Sequence, residues 1–581
     1  MTSVCSSGGE CDVWGNLRSL VARPAGAIGV LDGIRALAVA WVLAFHSLLF
    51  LPAIFQADQK TKGVPVTTPS AYPTLDEAWF MTPIAVGETG VDMFFLLSGF
   101  LIAYLLGKEA RRGSGIGYLR FLLRRWLRIV PAYVTVILVY FVATPVPCLT
   151  WFWTNLLFLN NFIGPQVVQG ADAPNTADAP CLGHAWSIAV EFQMYVLSPP
   201  IVMAIHYLAT KRAAGAKGWL LPPWWTIPLV GIVLSCLLRL VLWLGSEFEG
   251  LDVVIYDKPY TRWGPYLVGM AVAQMLGPAL DASMAKPKRP KAEATTDATG
   301  STPLLSASDG RTSSPAPKTA VVGGASLAAS DVVPATGTGE AGEPPLPAIP
   351  VVPCERWAPV IYWVGVCLWV LLSWAKLPFL GGSFVDQPGK AFPQAMSIMF
   401  FRTLFGIGVG MALFGIIVVR LQESRVARDK QRAAAVADKD AAADAEASSP
   451  AAGGTAVIAT DSETGEPADL VDPCRCCPSW PLGKWPASAR SLAWCLELKA
   501  LVPLARVSYS VYLLQFIPMF LVLGFLDVGE HDSVGTLWIK YMVLCALTLL
   551  LASLVSVAVY VCVERPCMSL RERCNASKRA A

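Results

Sequence analysis

The chain has 581 residues, 54% apolar and 15% charged, with a mean hydropathy of +0.52. Soluble domains run at about 45–50% apolar and about 25% charged, so this composition excludes an ordinary cytosolic enzyme and points to an all-α integral membrane protein. The net charge of +3 carries no electrostatic signature of a nucleic-acid partner, and 15 cysteines in so long a chain exclude a small disulfide scaffold.

The first 25 residues lack the apolar core of a cleavable signal and the N-terminal glycine of a myristoylation site, and residues 1–27 read as a cytoplasmic tail. A hydrocarbon core of about 30 Å takes roughly 20 apolar residues per helix. On that criterion ten transmembrane helices are expected, at 31–51, 90–107, 126–144, 186–208, 225–245, 262–280, 357–376, 396–419, 503–526 and 536–562. The apolar stretch Trp151–Phe162 is too short to span and reads as interfacial or re-entrant. The loop after the second span holds Lys108, Arg111, Arg112, Arg120, Arg124 and Arg125, and the loop after the fourth holds Lys211, Arg212 and Lys217. Segments 145–185 and 527–536 have neither Lys nor Arg. Alternating spans put every basic loop and both termini on one side, which the positive-inside rule makes the cytoplasm.

The expected organisation is a membrane domain in three parts, 28–280, 354–420 and 498–566, with cytoplasmic loops at 281–353 and 421–497 and a tail at 567–581. Residues 281–353 have no aromatic side chain, and 422–479 are similar, with an Ala/Asp/Lys run. Neither loop can bury enough apolar area to offset its ordering entropy, so both are predicted to be disordered, as spacers or as partner-binding segments. There is no internal repeat of the kind common in transporters.

An ionisable group inside a span costs roughly 2.5–3.5 kcal/mol on insertion scales and is a functional candidate by default. The candidates are His46, Asp92, Glu191, Arg239 and Arg402, with Arg35 at the inner end of the first span. Arg35 and His46 are eleven residues apart. Eleven steps of about 100° end about 20° past three turns, so both project from one helix face, about 16.5 Å apart in rise. Glu191 lies about one and a half turns below the outer end of the fourth span, a depth similar to that of His46 on an oppositely directed helix. A His46–Glu191 meeting is therefore possible, either as a base with its orienting carboxylate or as a structural polar pair. Asp92 sits near the outer end of the second span, and Ser98-Gly99 permits close helix packing. Arg124 and Arg128 share a face with i, i+4 spacing. Arginine forks suit phosphate, so a phosphorylated ligand approaching from the cytoplasm is one reading, and topology charge or lipid-headgroup contact is the other.

Together these groups suggest a passage from a cationic cytoplasmic mouth to the outer half of the membrane. A thioester donor with a phosphorylated head and a long arm would fit it, and so would a proton-coupled transporter. Cys148 and Cys181 share the non-cytoplasmic loop, where oxidising conditions favour a disulfide over two free thiols. Cys474, Cys476 and Cys477 have no zinc spacing, no metal is expected, and juxtamembrane palmitoylation is the other reading. The sequon Asn575-Ala576-Ser577 falls on the cytoplasmic side and is expected to stay unglycosylated.

Six blocks in order resemble the membrane acyltransferase-3 family, most closely its eukaryotic nose-resistant-to-fluoxetine-like branch. They are LDGIRALAVAWVLAFH (31–46), GVDMFFLLSGFLI (90–102), RRWLRIVPAY (124–133), HAWSIAVEFQMYVLSPPI (184–201), YDKPYTRWGPYLVGM (256–270) and RVSYSVYLLQF (506–516), with VERP at 563–566. The resemblance implies transfer of an acyl group, usually acetyl, from a cytoplasmic donor such as acyl-CoA to a hydroxyl of a sugar, lipid or related acceptor. Arg35 and His46 match the family's paired positions in the first span, Arg124 and Arg128 its arginine motif, and Glu191 its acidic position. Asp32 and Ser98 lie in matching blocks as supporting residues. Where relatives often carry a histidine after Tyr-Leu-Leu, this chain has Gln515, which keeps hydrogen bonding but cannot carry a proton.

The expected mechanism has His46 as general base, Glu191 or Asp92 orienting it, Arg35 steadying the donor arm, and Arg124, Arg125 and Arg128 holding phosphates. An acyl-histidine or acyl-Ser98 intermediate is open. The expected partners are membrane lipid, the acyl donor and the hydroxyl acceptor, with no nucleic acid, in the endomembrane system or the plasma membrane. The rival readings are a transporter or lipid carrier without bond-making chemistry, and a silent scaffold.

Overall fold

Long apolar runs can satisfy their backbone in lipid only as helices or closed barrels. The computed structural model describes residues 13–24, 27–62, 80–113, 115–163, 179–214, 222–245, 255–285, 348–374, 391–447, 487–526 and 532–569. All ten expected spans fall in helices, and no strand occurs among the described residues. In chain order the helices are α1 (Val13–Val21), α2 (Gly29–Lys62), α3 (Thr89–Arg111), α4 (Tyr118–Ala143), α5 (Pro145–Leu156), α6 (Trp186–Ala214) and α7 (Thr226–Gly245). There follow α8 (Pro259–Ser283), α9 (Ala358–Trp374), α10 (Ala391–Ala447), α11 (Ala487–Leu496), α12 (Leu501–Leu514), α13 (Phe516–Phe525) and α14 (Val534–Val559). These helices belong to one compact unit, Met1–Met284 with Ile349–Ala581; Ala285–Ala348 cluster as a second, of which only the two end residues are described.

Eight described helices are long and apolar enough to cross a membrane, and nine if the bent pair α12–α13 counts as one span. The tenth expected span is α8, whose 25 residues are long enough but include Arg262, Gln274 and Asp281. Its polarity has a packing reason: α8 is wrapped by α3, α7 and α10, and most of it is buried. A helix shielded from lipid by other helices need not be uniformly apolar. The expected interfacial stretch Trp151–Phe162 is helical only as far as Leu156, the end of the twelve-residue α5, which is too short to span.

The structure corrects one boundary. Segment 422–447, expected within a disordered loop, continues α10 without a break. Its Ala, Arg, Lys, Glu and Gln residues are strong helix formers, and a helix already nucleated in the membrane extends readily through them. Ion pairs tie the start of this extension down, Arg420 to Glu497 at 2.7 Å and Arg425 to Glu355 at 2.5 Å. Within the same expected loop, α11 is helical too. The rest of the two loops, with Cys474, Cys476 and Cys477, lies outside the described residues, as do Lys217 and Asn575.

α3 is the hub. It packs on α2, α6, α8 and α10, and its contact with α8 is the most extensive between helices among the described residues. An added Cβ at Gly99 would stand 2.0 Å from the Tyr266 carbonyl oxygen, and one at Gly269 2.0 Å from that of Leu96. The two backbones touch because neither position has a side chain. α12 and α13 meet at 70°. Pro518 has no N–H for the Leu514 carbonyl four residues back, which breaks the ladder there. His184 Nε2 donates to the neighbouring Leu513 carbonyl at 3.0 Å, and Gln515 sits buried at the corner. The disulfide Cys148–Cys181 is formed and ties α5 to the segment leading into α6.

Candidate active site

A cavity of about 830 Å³ runs along α3. Its α3 wall is the stripe Val91, Phe95, Ser98, Ile102, Leu105, Glu109 and Arg112, at helical spacing. Those 21 steps correspond to about 31 Å, close to a full hydrocarbon core. α2 contributes Asp32 and Arg35; α4 contributes Arg124, Arg125 and Arg128; α6 contributes Ser187, Glu191 and Tyr195; α12 contributes Tyr509 and Tyr512. The structure therefore gathers all the expected phosphate-binding arginines, with Arg35, Ser98 and Glu191, around one space.

Seven Lys or Arg side chains and four carboxylates line it. Each carboxylate already has partners. Asp32 takes Arg23 at 3.0 Å and Glu109 takes Arg124 at 2.8 Å. Glu191 accepts from the Ser98 and Tyr195 hydroxyls, and Glu564 from Ser510. Among the described residues, Arg35, Arg125 and Arg128 form no ion pair, and the Nε of Arg125 has no acceptor. The Arg125 guanidinium lies over the Phe121 and Tyr195 rings at 5.4 and 5.8 Å. These three like charges repel one another in a low-dielectric space, which an anion would relieve.

His46 does not line the cavity. The cavity ends at Val91, Phe94, Ser187 and Tyr512, one helical turn of α12 short of the imidazole. Tyr512 closes that end: its hydroxyl accepts from Ser187 Oγ at 2.8 Å and donates to the His184 carbonyl at 2.8 Å. Beyond it, the Phe516 ring lies between the His46 and His184 rings, with centroids 4.9 and 4.7 Å away.

The expected His46–Glu191 bond is not made. Glu191 sits at the level of Ser98 and shares the cavity with Arg35, whereas Phe45, beside His46, packs at Gly87, eleven residues before Ser98 at the head of α3. Eleven residues of helix rise about 16.5 Å, so the two groups stand at different depths and cannot meet. The group on the imidazole is Gln515: its Nε2 donates to Tyr512 O at 2.9 Å, and its Oε1 faces His46 Nδ1 at 3.2 Å. An amide oxygen can only accept, so Nδ1 carries the proton and Nε2 is left as the basic nitrogen.

Asp92 is likewise not an orienting group for His46. It is fully buried, with Arg402 Nη1 at 2.9 Å and Arg262 Nη1 at 3.5 Å, and Arg402 also reaches Glu88 at 2.5 Å. The Arg262 and Arg402 guanidiniums lie over the Tyr256 ring, at 4.4 and 5.3 Å. Arg239, 1% exposed, donates instead to the backbone carbonyls of Thr261 and Met399. These groups staple α3, α7, α8 and α10 together. Tyr195, Arg262, His184 and Tyr512 escaped the sequence reading; the signal present for Arg262 was a cation at the first position of an expected span.

Residues 28–285 match the acyltransferase domain family. The chain is 26% identical over 286 residues to nose resistant to fluoxetine protein 6 of Caenorhabditis elegans, covering 43% of this chain and 32% of the relative. It is 21% identical over 288 residues to regulator of hypoxia-inducible factor 1 of the same organism, 44% of this chain and 52% of the relative. It is 28% identical over 179 residues to O-acetyltransferase OatA of Staphylococcus aureus, 30% of this chain and 24% of the relative. The chain thus spans between a quarter and about half of the length of these relatives. No solved structure matches it. Over residues 28–285 the chain is thus similar to the acyltransferase domain family.

Proposed function

We propose that this protein is a membrane-embedded O-acyltransferase that takes an acyl group, most simply acetyl, from an acyl-CoA-type donor and passes it to a hydroxyl acceptor. The observation that carries the reading is the long cavity whose three unpaired guanidiniums, Arg35, Arg125 and Arg128, stand below an apolar limb ending one turn from His46. The phosphates of the donor would occupy the arginines, with Arg124 held in place by Glu109. Its arm would run up the α3 stripe, and the rise of about 16.5 Å from Arg35 to His46 would separate head from reacting carbon. His46 Nε2 takes the proton of the acceptor hydroxyl, and the oxygen attacks the acyl carbonyl carbon. The carbon–sulfur bond breaks, and the thiolate leaves with the proton from the imidazolium. Gln515 holds the ring in the required tautomer. Tyr512 must swing aside for donor and base to meet. The similarity to an O-acetyltransferase supports the acetyl and hydroxyl assignments.

The test is purified protein in detergent with labelled acetyl-CoA, scored for thiol release with and without lipid and glycan extracts. Acceptor-dependent release that His46→Ala lowers at least about a hundredfold at unchanged protein levels is expected. Solute uptake into vesicles without thiol release would replace the enzyme by a carrier.

A further inference from the structure

The amphipathic pattern of α1 is reversed. Its protein-facing side holds Asn16 and Leu20, both buried, and the fastening is polar: Asn16 Nδ2 donates to the Val561 carbonyl at 3.1 Å, and the Ser19 and Tyr560 hydroxyls lie 3.3 Å apart. Its outward side is apolar. Val13, Leu17, Val21 and Trp14 fill an arc of about 100° on the helix wheel, Trp14 is 73% exposed, and Arg18 borders the arc. Large apolar side chains left in water forgo roughly 1.5–3 kcal/mol each relative to burial. This face therefore calls for an apolar neighbour.

The position of α1 says which one. It packs on α12 and on the turn Tyr560–Glu564 that closes α14, at the end of the bundle where α4 begins and the cavity opens. The same end exposes Trp494, Trp126 and Tyr118 beside the exposed Arg120 and Arg490. Indoles and phenols collect at the boundary between hydrocarbon and headgroups, with cations just outside it.

We infer that α1 is an interfacial helix whose Val13, Trp14, Leu17 and Val21 face binds the lipid surface of the leaflet around the cavity mouth, with Arg18 meeting headgroup phosphates. It fixes that mouth from one side, because Arg23, just after it, pairs with Asp32, and Pro24 and Ala27 line the rim. The inference stands apart from the acyltransferase reading.

The test places a photo-crosslinking amino acid at 14, 17, 20 or 138 of the full chain in vesicles of phosphatidylcholine and phosphatidylglycerol. After irradiation, mass spectrometry should find lipid adducts at 14 and 17, as at the exposed mid-span position Leu138, and none at Leu20. Crosslinks from 14 and 17 to other segments of this chain or to a second copy would overturn the inference. So would the absence of adducts there while Leu138 gives them.

Discussion

At the residue scale the His46 imidazole faces the Gln515 amide oxygen at 3.2 Å. On the proposed mechanism, His46→Ala should lower acyl transfer by about 10²–10⁴-fold, read as thiol release at saturating donor. Gln515→Leu should lower kcat with little change in donor KM, because the ring loses its tautomer lock and the arginines are untouched; Gln515→Glu should restore part of the rate. Ser98→Ala should leave most of the activity, since its hydroxyl is spent on Glu191, and loss of all activity would point to an acyl-serine route instead. The sequence singled out His46, Arg35 and the arginines as candidates because charge inside an apolar run is conspicuous wherever the chain folds. It misassigned the partners of Glu191 and Asp92 because a residue count gives depth only along one helix, whereas the offset and rotation between neighbouring helices are set by packing. Arg262 and Arg402 claim Asp92 through two helices that lie far apart in the chain.

At the element scale the α3–α8 contact has no slack. Gly99→Val should destabilise the protein by about 1–3 kcal/mol or prevent folding, seen as a lower melting temperature in detergent, because the new carbons meet the Tyr266 carbonyl. Asp92→Asn should cost about 3–5 kcal/mol, since it leaves Arg262 and Arg402 buried with half their compensation. The positions of the helices were legible from apolar length alone. The polar helix α8 was found as well, although its surroundings rather than its composition keep it in the bundle. The extension of α10 was misread because low aromatic content removes a reason to pack but leaves helix propensity intact.

For the whole molecule, Cys148 and Cys181 close a 33-residue separation on the side away from the cavity mouth. Cys148→Ser should lower stability by about 2–4 kcal/mol, measurable as a shift in thermal unfolding, with donor binding retained because no cavity residue belongs to that segment. The pairing was legible because only these two cysteines share the loop without Lys or Arg. The backbone contact through Gly99 and Gly269 has one more consequence. Helices that meet main chain to main chain move as a single plank, so one wall of the passage is rigid from end to end. Whatever breathing admits a bulky guest must come from the opposite wall, where α4 offers its arginines. Deuterium uptake should accordingly be slow along α3 and α8 and quicker along the first turns of α4.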